Sequence, residues 1–439
     1  MSLSASALAR AIVLALVLGA GAAPVDAAGL TAGAATVEIA VPPGTPLAGY
    51  GAAGRRALFP DLLGRRPHAF WFKSHEGQAD PIAARALVLE HGGTRLVWIA
   101  TDLIAVDRRL TAELGTRLER ALGGPATLIV SASHTHSGPG AFADSEVMGF
   151  IAVERPDGAV RETILAALVD AARRANDRRA GARIGVAAAM APDLTRSRLG
   201  KPIDRELVVM KVAAADGRPV ALVWNFAIHP TMYGPRNLRL SGDVTGLASR
   251  ALETALGVPA LFVNGAVGDV SPRRHGGEAA REVAATLASA ARAVWNRADP
   301  VGAAAPVTRT ARVDLGAPSL SLRNCLGAWV PRALTIPVGA IFPADATLTA
   351  VAVGDAAWVT MPGELQAALG ERVKRAAPGR WRHPFVAGLS NDYLGYFVGR
   401  AEFERVTYVT CASLYGPEAG ERLAAAASAL LRGLGNLQP

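Results

Sequence analysis

Cysteine is scarce in this chain, which has only two such residues, Cys325 and Cys411, among 439. Two cysteines cannot build a disulfide-rich scaffold. Their long spacing, with no histidine near either one, also excludes a cysteine-ligated zinc site. The sequence leaves open whether the two thiols pair or stay free.

Lysine is also rare, so the formal net charge of +9 comes mostly from arginine. Arginine pairs at 55–56, 65–66 and 273–274 could attract anionic lipid headgroups or cell-envelope polymers. A solvated surface in an arginine-biased proteome explains the same pairs, and we favour that interpretation. No nucleic-acid-binding motif accompanies the charge, so we expect no nucleic-acid partner.

Long hydrophobic runs are absent after the first 27 residues, so we expect no transmembrane segment in the mature chain. Residues 1–27 have the pattern of a signal peptide: Arg10, an apolar run at 11–18, and small residues before a cleavage site after Ala27. That apolar run is too short to span a bilayer. We therefore expect an exported protein, periplasmic or secreted.

Strands and helices alternate along the chain without an obvious linker, and 51% of the residues are hydrophobic. This pattern predicts an α/β fold with mixed, largely buried β-sheets flanked by α-helices, in a single large domain spanning residues 28–439. The predicted strands are 34–40, 84–91, 94–101, 126–132, 182–189, 206–213, 219–228, 259–264, 306–314 and 348–360, and the predicted helices are 107–122, 158–177, 243–256, 276–297, 364–376 and 417–433.

Two histidines stand directly after the predicted strand 126–132, within the segment 131–140 (SASHTHSGPG). Because side chains alternate along a strand, His134 and His136 point to the same side. Small residues and a Gly-Pro-Gly turn leave space around them. They either bind a metal ion or lie in a surface turn.

Three further predicted strands end in polar residues of similar kinds. His229 precedes Pro230, which should stop its strand, while Asp269 and Ser271 follow another strand and Glu364 follows a third. His229 could instead be a core histidine bonded to a backbone carbonyl, and Glu364 could cap the next helix. Together with the two histidines at 134 and 136, these strand ends favour a single site.

Two other parts of the sequence, an irregular stretch and a candidate helix cap, concern the surroundings of that site. Residues 46–80 are rich in proline and glycine, and so long an irregular stretch is typical of a functional loop. We expect it to border the site entrance, with residues 70–72 (FWF) forming either an apolar rim or core. Asp243 is suited to cap the predicted helix 243–256.

The motifs above resemble those of the neutral/alkaline (non-lysosomal) ceramidase family, and they occur in that family's order. The resemblance begins with a family-like opening at residues 34–50 and extends almost to the C-terminus. Its segments are 134–140 (HTHSGPG), 227–231 (AIHPT), 268–272 (GDVSP), 362–364 (PGE), 389–396 (LSNDYLGY) and 415–417 (YGP).

The resemblance implies a zinc-dependent amidase acting on the N-acyl amide of ceramide or a related N-acyl lipid. The zinc ligands would be His134, His229, Glu364 and Tyr396, although Tyr396 could also be an aromatic residue packed at a loop edge. His136 would then bind substrate or move a proton. Two other residues, Arg196 and Tyr408, match family positions that contact the reacting amide.

Ser271 matches a serine once considered the nucleophile in this family. Its motif offers no adjacent base, so we expect a supporting role. A serine-nucleophile hydrolase using Ser271 and a non-catalytic lipid- or glycan-binding envelope protein remain the alternatives.

The chain departs from the family pattern in three ways. Family members carry a further C-terminal β-sandwich domain, and we expect this chain to comprise the catalytic domain without it. Phe403 stands where the family has tyrosine, and Cys411 lies in a stretch usually free of cysteine. The implied metal ligands are all present, so the resemblance supports amidase chemistry better than it supports ceramide as the substrate.

Overall fold

The computed structural model describes residues 29–301 and 304–435, so the predicted signal peptide lies outside the described residues. The strands are β1 Thr31–Glu38, β2 Ala83–His91, β3 Thr94–Thr101, β4 Thr127–Ala132, β5 Ala180–Met190, β6 Thr195–Ser197, β7 Glu206–Ala214, β8 Pro219–Phe226, β9 Ala260–Asn264, β10 Val270–Pro272, β11 Val307–Asp314, β12 Ser319–Ser321, β13 Thr335–Pro337, β14 Asp345–Val353, β15 Ala356–Thr360, β16 Glu364–Leu365, β17 Phe385–Ala387 and β18 Tyr396–Phe397. The helices are α1 Arg108–Leu122, α2 Glu146–Met148, a π-helical turn Gly149–Val153, α3 Gly158–Asp177, α4 Asp243–Leu256, α5 Gly277–Trp295, α6 Leu322–Leu326, α7 Ala367–Arg375, α8 Arg400–Phe403, α9 Tyr408–Cys411 and α10 Ala419–Leu434.

The largest sheet has eight strands in the order β4-β3-β2-β1-β5-β7-β8-β9, and it consists of two halves with the same topology. Each half has three antiparallel strands, a helix, a fourth strand parallel to the third, and a second helix. The halves meet where Thr31 and Ala32 of β1 pair with β5. The sheet curls so that its edge strands β4 and β9 approach each other, which brings loops from both halves to one place.

The described residues form four layers, as the α/β pattern predicts. Helices α1 and α3 cover one half of the eight-stranded sheet, and α4 and α5 cover the other half. The opposite face of this sheet packs on a second sheet, β11-β14-β15-β17, whose far face is covered by α7 and α10. Between the sheets, the buried rings of Trp98 and Trp358 stack with centroids 4.6 Å apart. The predicted fold class is therefore confirmed.

A buried charge network ties the first half of the sheet to the second. Arg85 of β2 donates to Asp102, just after β3, and to Glu253 of α4, at 3.0 and 2.8 Å. The side chains of Arg85 and Asp102 are only 2% and 3% exposed, so each charge depends on the other for compensation.

Three local predictions are corrected by the structure. The predicted strand 348–360 is the hairpin β14–β15, because Gly354, at a φ of 55°, allows a turn. The helix predicted from residue 364 begins at Ala367, and Glu364 instead lies in the short strand β16. The N-cap residue of α4 is Gly242 and not Asp243, whose carboxylate accepts the N–H of Val244 within the helix and those of Met232 and Tyr233 in the loop that follows β8.

Cys325 and Cys411 form a disulfide, which resolves the alternative that the sequence left open. The bond joins α6 to α9, two short helices that lie 86 positions apart. Among the helices described, none combines the length and apolarity needed to cross a bilayer.

Replacing Arg85 with alanine should leave the Asp102 carboxylate buried without its countercharge. We expect the free energy of unfolding to fall by about 3–5 kcal/mol. Urea unfolding followed by tryptophan fluorescence measures this change. Arg218→Ala is the matched control, since Arg218 pairs with Asp216 on the surface and should contribute less than about 1 kcal/mol. Equal losses in the two variants would contradict a role for the buried network.

Candidate metal centre

Three side chains from distant parts of the chain meet in a buried cluster. His134 follows β4, His229 follows β8, and Glu364 opens β16. One ligand atom from each lies within 4.8 Å of the others. The Nε2 atoms of His134 and His229 lie 3.2 and 2.8 Å from the two oxygens of Glu364, and all three residues are at most 3% exposed.

The outer nitrogen of each histidine is fixed by a backbone carbonyl. Nδ1 of His134 donates to the carbonyl of Ile104, and Nδ1 of His229 donates to that of Val270, both at 2.6 Å. These bonds fix the tautomer and leave both Nε2 lone pairs directed at the cluster, as in metal-ligating histidines. Burial lowers the pKa of His229 to about 4, so this imidazole is neutral near pH 7.

The carboxylate of Glu364 lacks a satisfactory set of partners for so buried a group. Oε1 accepts from the Tyr393 hydroxyl at 2.7 Å. The 2.8 Å approach of Oε2 to His229 Nε2 lacks hydrogen-bond geometry, so both atoms are unpaired among the described residues. A buried anion beside two nitrogen lone pairs is an arrangement that a divalent cation would satisfy, so the residues present fit a metal ion.

Backbone and amide contacts hold the two histidine loops together. The buried amide of Asn264 at the end of β9 donates to the carbonyls of Ser133 and Ile228, which lie one residue before His134 and His229. His134 itself has a φ of 71°, a strained backbone conformation for a residue with a β-carbon and one that is often found at functional sites.

Tyr396, the fourth expected ligand, lies beside Glu364 because β16 and β18 pair in parallel. It is buried, and its hydroxyl accepts from Arg198 Nη1 at 3.1 Å. The same guanidinium donates through Nε to Ser271 Oγ at 2.6 Å. Arg198 therefore links the edge of the cluster to the Gly-Asp-Val-Ser-Pro motif.

His136 lies next to the cluster, with its ring centroid 5.0 Å from that of His134. Both of its ring nitrogens are buried and have no hydrogen-bond partner in the described part of the chain. Tyr50 packs on this ring at 4.6 Å, so the loop 46–80 borders the site as expected. Gly49 is required there, because a β-carbon would lie 2.7 Å from the His136 ring.

Two expected site residues lie farther out. Arg196 is exposed, because Thr195 beside it on β6 points inward, and it lines a cleft of about 380 Å³ that includes none of the three clustered residues. The structure therefore does not bring Arg196 to the centre. Tyr408 is 70% exposed, and its ring lies 5.9 Å from that of Tyr396, at the edge of the site.

Sequence reasoning missed four residues around the cluster: Arg198, Tyr393, Asn264 and Tyr50. Tyr393 and Tyr50 lie inside segments that carried the family resemblance, so their motifs were a usable signal. Asn264 is a polar residue at a strand end, the same signal that identified His229. For Arg198 the sequence offered no signal that separates it from Arg196.

Fold and site together define an α/β protein with a candidate metal centre built on loops at strand ends. Residues 73–307 match the model of the N-terminal region of neutral/alkaline non-lysosomal ceramidases. This segment is more than half of the chain, and the chain belongs to that family.

Individual relatives are distant. Neutral ceramidases B and A of Dictyostelium discoideum are 24% and 25% identical over 221 and 222 residues, which cover 44% of this chain and 31% of each relative. The matched segment thus spans about a third of the length of these curated relatives. The crystal structure of neutral ceramidase from Pseudomonas aeruginosa superposes with a TM-score of 0.79 at 19% identity, covering 93% of this chain and 75% of that one. This likeness shows that the fold is shared.

Removing one clustered histidine should strongly weaken metal binding. We expect the unaltered chain to bind about one divalent ion, and His134→Ala to weaken that binding by more than about 100-fold, because it removes a direct ligand. Metal content by mass spectrometry after equilibration with buffered Zn²⁺ measures this. His275→Ala alters an exposed histidine away from the cluster and should bind like the unaltered chain. Full occupancy in His134→Ala would exclude the assigned centre.

Proposed function

We propose that this chain is a zinc-dependent amidohydrolase that cleaves the N-acyl amide of ceramide, or of a related N-acyl lipid, to a fatty acid and an amine. The observation that carries the proposal is the buried His-His-Glu cluster beside His136, whose two ring nitrogens have no hydrogen-bond partner among residues 29–301 and 304–435. Membership of the ceramidase family favours ceramide over other amides.

The donor set favours zinc among the common divalent ions. Two imidazole nitrogens and a carboxylate, from His134, His229 and Glu364, are ligands that zinc accepts, and the Tyr396 oxygen would be a fourth ligand. When bound, zinc would lower the pKa of a water ligand to about 7 and polarise the substrate carbonyl.

The remaining polar groups of the site fit the other needs of amide hydrolysis. His136 has free ring nitrogens beside the cluster and is suited to hold the amide or to carry a proton to the leaving amine. Arg198 uses two of its nitrogens on Tyr396 and Ser271 and retains other N–H groups for a developing oxyanion. The Tyr408 hydroxyl is a second donor at the edge.

Ser271 is better suited to positioning Arg198 than to attacking the substrate. Its Oγ accepts from the guanidinium, which is a permanent cation and cannot take a proton from a nucleophile. A serine mechanism would need a base in that place.

The proposal also covers the domain organisation of the chain and its export from the cytoplasm. We propose that residues 28–439 form one catalytic domain, exported after removal of residues 1–27. The apolar core shared by the two sheets supports a single domain, because it includes strands from β1 to β17. The substrate would then be a lipid encountered outside the cytoplasm.

Release of fatty acid from a fluorescent short-chain ceramide should depend on zinc. We expect activity to disappear on chelation and to return when Zn²⁺ is added. Ser271→Ala should retain chelator-sensitive activity, whereas a chelator-resistant activity lost in Ser271→Ala would establish the serine mechanism. A zinc-loaded chain without turnover would exclude ceramide as the substrate.

Arg198, not Arg196, should contribute to turnover. We expect Arg198→Met to lower kcat by about 100-fold or more, because an oxyanion donor is lost, while zinc stays bound. Arg196→Met, two residues away on the exposed side of β6, should leave kcat nearly unchanged. Steady-state kinetics with parallel metal analysis distinguishes the two, and the opposite ranking would contradict this assignment.

A further inference from the structure

The loop of residues 57–66 exposes more apolar surface than a water-facing loop needs. Within six positions, Leu58, Phe59, Leu62 and Leu63 are 88%, 73%, 81% and 72% exposed. Large contiguous apolar patches are rare on proteins that contact only water, and they mark surfaces that bind a partner or a membrane. We refer to residues 57–66 as the apolar loop.

Hydrogen bonds to the segment 70–72 hold the base of the apolar loop in place. Its backbone pairs with the neighbouring segment, since Ala57 N donates to Trp71 O and Asp61 N to Phe70 O, at 3.1 and 3.0 Å. The carboxylate of Glu154 in turn accepts the N–H groups of residues 70–72. These contacts fix the base of the loop while its leucines and phenylalanine stay in solvent.

A second exposed apolar segment adjoins the first. Phe150 and Ile151 of the π-helical turn are 51% and 48% exposed. The Phe150 ring lies 5.1 Å from the Trp71 ring, and the Arg56 guanidinium lies over it at 4.6 Å. Trp71, which accepts the N–H of Ala57, thus connects the two segments, and we call the two segments together the apolar face.

The apolar face lies next to the candidate metal centre. Ala152, beside Ile151, accepts the N–H of Gly49 at 2.9 Å, and the next residue, Tyr50, packs on the His136 ring at 4.6 Å. The end of the apolar face at Ile151 is thus connected to His136 through Gly49 and Tyr50.

Basic residues outnumber acidic ones in the segment that carries the apolar loop. Residues 55–73 contain five basic residues and one acidic residue, Asp61; Arg55 is buried, whereas Arg65 and Lys73 are exposed. Leucine and phenylalanine beside arginine are the combination that binds anionic bilayers, through apolar burial and attraction to headgroups. A symmetric contact between two copies of the chain would instead bring the same arginines together.

We propose that the apolar face docks on an anionic lipid bilayer, with Leu58, Phe59, Leu62 and Leu63 inserted among the acyl chains. Docking would place the candidate centre at the membrane surface, where a lipid substrate resides. The choice of a bilayer as the occupant rests in part on the proposed function, but binding does not require catalysis.

Vesicle co-sedimentation of the full chain tests this assignment. The probe is phosphatidylcholine vesicles with or without phosphatidylglycerol. We expect the quadruple variant L58S/F59S/L62S/L63S to bind anionic vesicles at least about 30-fold more weakly than the unaltered chain. Both proteins should bind vesicles without phosphatidylglycerol more weakly than vesicles that contain it. The control M190S/V301S changes two apolar residues that are each 64% exposed outside the face, and it should bind normally.

Activity assays separate this proposal from the proposed function. The quadruple variant should cleave soluble short-chain ceramide like the unaltered chain and lose turnover only on ceramide embedded in vesicles. If no form of the chain cleaves ceramide, vesicle binding still decides whether the face docks. Equal vesicle binding by the variant and the unaltered chain would overturn the proposal. The proposal would also be overturned if the unaltered chain bound no vesicles and analytical ultracentrifugation showed that the face only mediates dimerisation.

Discussion

The carboxylate of Glu364, buried between two imidazoles, is the constraint around which the site is organised. An ionised carboxylate out of contact with water needs a compensating positive charge, and one hydroxyl from Tyr393 does not supply it. The nearby histidines offer lone pairs, since their outer nitrogens are already committed to backbone carbonyls. One carboxylate and two imidazole lone pairs directed at the same point suit a cation, and the surrounding loops hold the three side chains in place for it.

The two-part architecture of the large sheet explains how such distant residues meet. His134 follows a strand of the first half and His229 a strand of the second, and the curl of the sheet brings their loops together. Asn264, on β9, then bonds to both loops. Glu364 lies in β16, which follows β15 of the second sheet, and this sheet packs on the first through the stacked rings of Trp98 and Trp358.

The centre is buried, yet its surroundings are apolar and basic where they reach solvent. Tyr50 and Tyr408 stand at its edges, and Gly49, the residue before Tyr50, donates to Ala152, which follows the exposed Phe150 and Ile151. The exposed leucines of the apolar loop lie in the same segment as the arginine pair at 65–66, for which the sequence alone favoured solvated charge.

By itself, the sequence determined the α/β class, the order of the main strands and helices, and the identity of the clustered residues His134, His229 and Glu364. It could do so because apolar runs and the residues that end them are local signals, and because the motifs kept the order of a known family. It could not show that Arg198, rather than Arg196, contacts Tyr396 and Ser271, because Arg198 lies just after the three-residue strand β6 and its direction depends on the segments packed against it. It could not separate a helix cap from a ligand at Glu364, or predict the pairing of the cysteines. Those outcomes depend on contacts between segments far apart in the chain, and only the tertiary structure decides them.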